Sequence, residues 1–303
     1  MKKVIVTGAG GFIGRHSLVT LITKGFEVHA ITTKDLPTED NGCNWHKANL
    51  LDTTQIQKLV SKVKPTHLLH FAWYAVPGKY WTSEQNFLWV QASLELVRRF
   101  RECGGERVVM AGTCAEYDWK YGFCSEFVTP TSPKSPYSVC KNALQEMLNS
   151  YAGLTGLSSA WGRIFWLYGP HEYPERLVPS VICSLLKGEP ARCSHGNQIR
   201  DFLYVQDVAG AFVALLESDV TGCVNIASGK PVTLKEIIYT IANQIGRADL
   251  VELGAMPAAS TEPPLVVADP TRLFNEVGWK PEYDLDKGIT ETINWWKSQI
   301  DLK

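Results

Sequence analysis

The chain has 303 residues, a formal net charge of −1 and 45% hydrophobic residues, which suffices for one large or two modest domains with a substantial core. The balanced charge argues against a nucleic-acid partner, and no apolar run has the length of a signal-peptide core or a membrane span. Eight cysteines show no metal-binding spacing and several lie in apolar runs, so we expect reduced core thiols, no metal site and a cytoplasmic protein.

The first 25 residues predict a strand, a glycine turn and a helix in succession. Residues 4–6 form a β-branched run, and helical spacing of apolar residues begins at Phe12. Gly8, Gly11 and Gly14 have the spacing at which glycines form a tight turn, admit a pyrophosphate and let the helix pack on the strand. The helix N-terminus adds amide donors for a phosphate. This stretch predicts a dinucleotide-binding site, with an ordinary strand–turn–helix corner as the alternative.

The end of the second predicted strand, residues 27–31, bears on the choice of dinucleotide. An acidic residue at this point binds the adenosine 2′-hydroxyl of NAD. Here Thr32, Thr33 and Lys34 stand in that position, and Arg15 lies just inside the first helix. Cations without a carboxylate suit a 2′-phosphate, so we predict NADP. The alternative is that both cations are solvated surface charges and the cofactor is NAD.

Strands and helices continue to alternate along the chain. The pattern predicts strands at 44–47, 67–71, 107–111 and 157–165 and helices at 53–63, 87–101 and 137–151. Further helices are predicted at 177–186, up to 217, at 233–245 and from 286 onwards, with an ordered Pro/Ala-rich loop at 255–264. Such alternation is typical of an α/β fold with a doubly wound parallel sheet, the Rossmann arrangement.

Three residues after this glycine turn are candidates for chemistry. Thr113 lies at the carboxyl end of a predicted strand, where open α/β sheets bind ligands. Tyr137 and Lys141 are four residues apart on a predicted helix and therefore share one face. A neighbouring ammonium favours the phenolate, so we expect Lys141 to lower the pKa of Tyr137 and make it a general acid or base.

Taken together, the motifs at 7–14, 113, 136–141, 168–170, 200–207, 225–229 and 278–281 resemble the extended short-chain dehydrogenase/reductases. Within that group, the chain is similar to the NAD-dependent epimerase/dehydratase family, whose members act on nucleotide sugars. The resemblance implies a Rossmann dinucleotide-binding domain and a smaller C-terminal α/β substrate domain. We predict the first at 1–165, with 204–225 returning to it, and the second at 166–203 and 226–303.

The resemblance also implies roles for single residues. Tyr137 would exchange a proton with a sugar oxygen that Thr113 also contacts, and Lys141 would hold the nicotinamide ribose. Arg200 would contact the phosphates of the nucleotide, and the helices at 87–101 and 137–151 would form a homodimer. The predicted cofactor-binding residues are Gly8, Gly11, Phe12, Ile13, Gly14, Arg15, Thr32, Thr33, Lys34, Asn49, Leu50, Phe71, Ala72, Trp73, Tyr137 and Lys141. The predicted substrate-binding residues are Thr113, Cys114, Trp73, Tyr74, Trp166 and Arg200.

Departures from the family pattern narrow the reaction. Sugar 4,6-dehydratases carry Asp-Glu after the threonine, whereas this chain has Cys114 and Ala115, which cannot act as that acid/base pair. Trp166 stands where an asparagine often contacts the nucleotide sugar, and Asn49 stands where an aspartate faces adenine. An arginine that binds a phosphate from the late loop near Glu262 is missing. These changes leave the nucleotide part of the substrate open.

Three functions are compatible with these residues. We predict an NADP(H)-dependent ketoreductase that reduces a nucleotide-linked 4-keto-6-deoxy sugar, with Tyr137 as proton donor. The alternative is an epimerase that retains NAD and uses the same Tyr, Lys and Thr. A more distant alternative is a non-enzymatic Rossmann sensor, which would be expected to have lost the tyrosine or the lysine.

Overall fold

A computed structural model describes residues 2–38, 41–257 and 262–301 of the chain. The strands of these residues are β1 (Lys3–Thr7), β2 (Glu27–Thr32), β3 (Asn44–Lys47), β4 (His67–His70), β5 (Arg107–Thr113), β6 (Phe123–Cys124), β7 (Ser158–Ile164), β8 (Trp166–Tyr168), β9 (Ala191–Cys193), β10 (Ile199–Tyr204), β11 (Gly222–Ile226), β12 (Pro231–Thr233), β13 (Val251–Leu253) and β14 (Leu265–Ala268). The α-helices are α1 (Gly14–Thr23), α2 (Thr53–Val63), α3 (Gln85–Glu102), α4 (Pro136–Thr155), α5 (Leu177–Leu186), α6 (Val205–Glu217), α7 (Leu234–Ile245) and α8 (Leu285–Asp301).

The central layer is a seven-stranded sheet in the order β3-β2-β1-β4-β5-β7-β11, and every pair in it is parallel. The middle of its central strand β1 is apolar and buried, since Val4, Ile5 and Val6 are at most 1% exposed. The strand order reverses between β1 and β4, which leaves a crevice at the carboxyl ends of these two strands. The predicted doubly wound parallel sheet is confirmed.

Helices cover both faces of this sheet. On one face, α1 and α6 bury Leu18, Leu21 and Phe212 against the strands. On the other face, α2, α3 and α4 bury a second cluster that includes Ile56 and Leu144. The sequence periodicity places these helices to within a few residues, but α1 begins at Gly14 because residues 12 and 13 extend the turn of the glycine loop.

A smaller α/β layer follows the main sheet. It contains the strands β12-β10-β14-β6, with β8 beside β10, and a cluster in which α5, α7 and α8 pack together. Strand β6 comes from within the predicted first domain yet pairs with β14 of the smaller sheet. The predicted domain boundaries stay a prediction. Residues 258–261 of the predicted loop at 255–264 lie outside the described residues.

Among the described residues, no helix combines the length and the apolar composition that crossing a membrane requires.

Candidate active site

The glycine loop between β1 and α1 has the shape that a dinucleotide pyrophosphate requires. Gly8 has a φ of +65°, and a Cβ there would lie 2.9 Å from the backbone nitrogen of Ala72. A Cβ at Gly14 would collide with the Gly8 carbonyl oxygen, so only glycine allows α1 to approach β1 this closely. No side chain caps α1, and its first turn holds no acidic residue. The backbone N–H groups of Arg15 and His16 in that turn donate to Gly11 and Ile13, so a phosphate would meet the helix at its very start, where the glycine loop leaves room for a nicotinamide dinucleotide.

The predicted 2′-phosphate cations lie on both sides of this loop. Arg15 donates to the carbonyl oxygens of Gly10 at 2.7 Å and Gly11 at 3.2 Å, and burial lowers the pKa of its half-buried guanidinium. Lys34 is exposed beyond the end of β2, and its backbone N–H donates to the Thr32 hydroxyl. Thr33 is exposed beside it. The next carboxylate, that of Asp35, is 2.8 Å from the ammonium of Lys47.

The predicted adenine contacts follow β3. The Asn49 side chain is exposed and accepts a hydrogen bond from the backbone of Leu51 at 3.0 Å. Leu50 is 4% exposed and packs in the core under α2, so its side chain is not available to a ligand.

The end of β4 is fixed to the end of β1 by buried polar groups. The Thr7 hydroxyl is 2.7 Å from Nδ1 of His70 and accepts a hydrogen bond from the Ala72 N–H at 3.2 Å. Burial lowers the pKa of His70 to about 3, so the ring stays neutral and serves as a structural link. Phe71 packs edge-on against Phe212 at 5.0 Å. Tyr74 is partly exposed near this crevice.

Trp73 lies against the ammonium group of Lys141. Its ring centroid is 3.8 Å from Nζ, and its indole N–H donates to Asn86 Oδ1 at 2.8 Å. Asn86 in turn donates to the backbone oxygens of Tyr80 at 2.7 Å and Ser83 at 2.8 Å. Sequence reasoning missed Asn86, because its burial in the first turn of α3 is visible only in the structure.

Tyr137 and Thr113 meet in the crevice. Tyr137 lies in the first turn of α4, which Ser135 caps, and the nearby Thr113 hydroxyl lowers the phenol pKa in part. Burial has the larger effect and raises that pKa well above its usual range, helped by Tyr80, whose ring packs edge-on at 4.7 Å. The expectation that Lys141 lowers the pKa of Tyr137 is therefore wrong. The reason is that the Lys141 ammonium lies against the Trp73 ring and donates to the Ala111 carbonyl oxygen.

Lys141 is 5% exposed and donates to the Ala111 carbonyl oxygen at 2.8 Å. Burial lowers its pKa to about 7, while the charge of Glu116 opposes this shift. A nearly fully buried lysine with this pKa can change its charge near neutral pH, which is a property of functional rather than structural lysines.

Glu116 is a buried carboxylate beneath this site that sequence reasoning missed. It is fully buried and accepts hydrogen bonds from the Thr113 backbone N–H at 3.0 Å, the Trp161 indole at 3.0 Å and the Arg163 Nε at 2.7 Å. It completes a capping box on a short 3-10 helix at Cys114–Glu116. Glu116 therefore fixes the strand end that carries Thr113.

Three of the predicted substrate residues, Cys114, Trp166 and Arg200, are linked through Trp119, which sequence reasoning missed. Cys114 is 6% exposed, and burial raises its thiol pKa well above the usual range. The Trp119 indole donates to the Cys114 carbonyl oxygen at 2.7 Å, and its ring lies 6.0 Å from that of Trp166. The guanidinium of Arg200 is 4.9 Å from the Trp166 ring. The loop before β14 lacks the phosphate-binding arginine that the family resemblance implies near Glu262. Instead, the Glu262 carboxylate lies 2.8 Å from the Arg200 guanidinium.

Within the described residues, no three His, Cys, Asp or Glu side chains are grouped as metal ligands.

Comparison with known proteins agrees with this geometry. The sequence model of a protein family described as "NAD dependent epimerase/dehydratase family" matches residues 4–227. The chain is 27% identical to the CDP-abequose synthase of Salmonella typhimurium, over 96% of this chain and 97% of that protein. It is 24% identical to the UDP-glucuronate 4-epimerase of Thermodesulfobacterium geofontis, over 100% of this chain and 98% of that protein.

Solved structures are similar over the same length. The UDP-glucose 4-epimerase of Thermus thermophilus in complex with NAD has a TM-score of 0.82 at 28% identity, covering 97% of this chain and 99% of that chain. The UDP-N-acetylglucosamine 4-epimerase of Methanobrevibacter ruminantium has a TM-score of 0.88 at 26% identity, covering 98% of this chain and 99% of that chain.

Proposed function

Because the chain belongs to the NAD-dependent epimerase/dehydratase family, an enzyme family that modifies nucleotide sugars, we propose a specific reaction for it. The chain is an NADP(H)-dependent ketoreductase that acts on a nucleotide-linked 4-keto-6-deoxy sugar. The observation that carries the proposal is the Thr113–Tyr137 pair beside two apolar residues, Cys114 and Ala115, which are 6% and 8% exposed. This site can protonate a carbonyl oxygen, but neither of the two residues after Thr113 carries a carboxylate to eliminate water.

The cofactor would be held by the residues of the glycine loop and its neighbours. The glycine loop and the N-terminus of α1 would bind the pyrophosphate, and Arg15 and Lys34 would bind a 2′-phosphate. A 2′-phosphate would take donors of Arg15 that now serve two loop carbonyl oxygens. When bound, the nicotinamide supplies the hydride.

Tyr137 would supply the proton. Because burial raises its pKa, the phenol is protonated at neutral pH and can donate to the oxygen of the reduced carbonyl. The Thr113 hydroxyl, which lies near the phenol, would hydrogen-bond the same oxygen and orient it. The phenolate left after transfer would recover its proton from solvent, and Lys141, whose ammonium lies against Trp73 and the Ala111 carbonyl oxygen, would hold the nicotinamide ribose.

Specific similarities favour one alternative, an epimerase that retains NAD. Two similar structures, at 28% and 26% identity, are named 4-epimerases, and the first of them holds NAD. An epimerase would need the same Tyr, Lys and Thr, so these side chains do not separate the two reactions.

Mass spectrometry of nucleotides released from the purified protein, followed by turnover with a 4-keto-6-deoxy sugar nucleotide, distinguishes the two reactions. The reductase is expected to consume added NADPH in proportion to product. Retained NAD, with sugar epimerised at no net consumption of reduced cofactor, would establish the alternative and contradict the NADP assignment.

We also propose that the chain forms a homodimer through α3 and α4. These helices expose several large apolar side chains, with Leu154 84% and Phe87 59% exposed. A groove of about 350 Å³ runs between them, lined in part by Leu94, Met147 and Tyr151. An apolar face of this kind is typical of a protein interface. Light scattering is expected to give twice the chain mass, and Leu154→Glu is expected to shift it towards the monomer, whereas a wild-type monomer would refute the assignment.

A further inference from the structure

Arg200 is a nearly fully buried cation on the substrate side of the crevice. Its side chain is 1% exposed, and its guanidinium lies 4.9 Å from the Trp166 ring. Trp166 in turn lies 6.0 Å from Trp119, whose indole donates to the carbonyl oxygen of Cys114, the residue after Thr113. Arg200 is thus close to the reacting end of the site. A guanidinium that has lost this much hydration needs an anion or strong acceptors at its donors.

Glu262 provides that anion from within the chain. Arg200 Nη2 donates to one carboxylate oxygen at 2.8 Å, and Gln198 Nε2 donates to the other at 3.0 Å. Each oxygen thus accepts a hydrogen bond from a separate buried side chain, as two oxygens of a phosphate would. The donors around Glu262 therefore form a built anion site that a carboxylate fills.

We propose that Glu262 is an internal competitor for the substrate phosphate, whose carboxylate occupies Arg200 in the free protein and leaves it when the phosphate binds. This inference rests on the proposed function, which assigns Arg200 to the phosphates of a nucleotide sugar. The exchange requires only that the Glu262 side chain turns outwards, and that side chain is already 36% exposed.

The exchange has a defined effect on the affinity for diphosphate ligands. A phosphate that approaches Arg200 must displace one negative charge and then bind close to it, which weakens binding of every diphosphate ligand. Removing that charge frees the guanidinium and removes the repulsion. We expect the dissociation constant for a diphosphate to fall about tenfold or more, a change of about 1.4 kcal/mol per factor of ten. Because Glu262 is partly exposed, the gain is expected to shrink at high salt.

Isothermal titration of the full-length protein, saturated with NADPH, tests this inference. Saturation fills the glycine loop, so UDP, CDP, dTDP and inorganic pyrophosphate report on the substrate side alone. Glu262→Gln and Glu262→Ala are compared with wild type. The matched control is Glu252→Gln, which removes the same charge from an exposed pair with Arg192 at 3.8 Å.

Both Glu262 variants are expected to bind at least one of the nucleoside diphosphates about tenfold or more tightly than wild type, with the Glu252 control unchanged. Unchanged or weaker binding in both variants, while wild type binds, overturns the inference and leaves the proposed function intact. If neither wild type nor the variants bind any of the diphosphates, the nucleotide-linked substrate is wrong, and the inference is overturned with it.

Discussion

Replacing Lys141 with methionine is expected to make the protein more stable at pH 6, although Lys141 is proposed to act in the reaction. The side chain is 5% exposed, and burial lowers its pKa from 10.5 to about 7. Below pH 7 both the folded and the unfolded chain carry the ammonium, so the folded state bears the full penalty of burying it. The pKa difference corresponds to about 5 kcal/mol.

The penalty fades as the pH rises, because the unfolded chain binds a proton between pH 7 and 10.5 that the folded chain has released. At pH 9 about 2 kcal/mol of it remains. Methionine also leaves the Ala111 carbonyl oxygen without the bond from Nζ, which costs about 1–3 kcal/mol. The variant is therefore expected to be about 2–4 kcal/mol more stable than wild type at pH 6 and about equally stable at pH 9.

Urea unfolding at the two pH values, without cofactor and with equal m-values, measures the difference. Lys58→Met, on the exposed side of α2, is the matched control and is expected to change stability by less than about 0.5 kcal/mol at either pH. A Lys141→Met variant that is less stable than wild type at pH 6, or a difference that is the same at both pH values, would refute the reasoning.

Other variants test the remaining parts of the site. Tyr137→Phe is expected to abolish turnover with the cofactor dissociation constant unchanged in titrations, and near-normal turnover would exclude Tyr137 as proton donor. Arg15→Ala with Lys34→Ala is expected to weaken NADPH binding about tenfold or more and NADH binding little, and equal losses for both would contradict the 2′-phosphate assignment. Glu116→Gln leaves Arg163 buried without its counter-charge, so we expect the free energy of unfolding to fall by about 3–5 kcal/mol. The control Glu102→Gln, on the surface of α3, is expected to lower it by less than about 1 kcal/mol. A small loss at Glu116 in urea unfolding would show that this ion pair is not a main support of β5.

The parts of the fold that depend on local pattern could be predicted from the sequence. The β-branched run of β1, the glycine spacing up to Gly14 and the alternation of strands and helices predict the parallel sheet and its ligand-binding edge. The start of α1 was the exception, because residues 12 and 13 belong to a turn whose shape is set by contacts of the loop.

The electrostatics of the site depend on contacts between distant parts of the chain. Spacing on one helix suggests that Lys141 acts on Tyr137, yet Trp73 and the Ala111 carbonyl, from two other strand ends, bind the ammonium instead. In the same way, Glu116 has its partners in β7, and Glu262 meets Arg200 from 62 residues away in sequence. No local periodicity encodes such pairs, so a sequence without aligned relatives does not predict them.

The central claim is that this chain reduces a carbonyl of a nucleotide-linked sugar with a proton from Tyr137 and a hydride from added NADPH. The most direct measurement is turnover of a 4-keto-6-deoxy sugar nucleotide with NADPH that carries deuterium at the transferable position, followed by mass spectrometry of the product. One deuterium on the former carbonyl carbon for each NADPH consumed is the expected result. An unlabelled product formed without consumption of NADPH would contradict the claim.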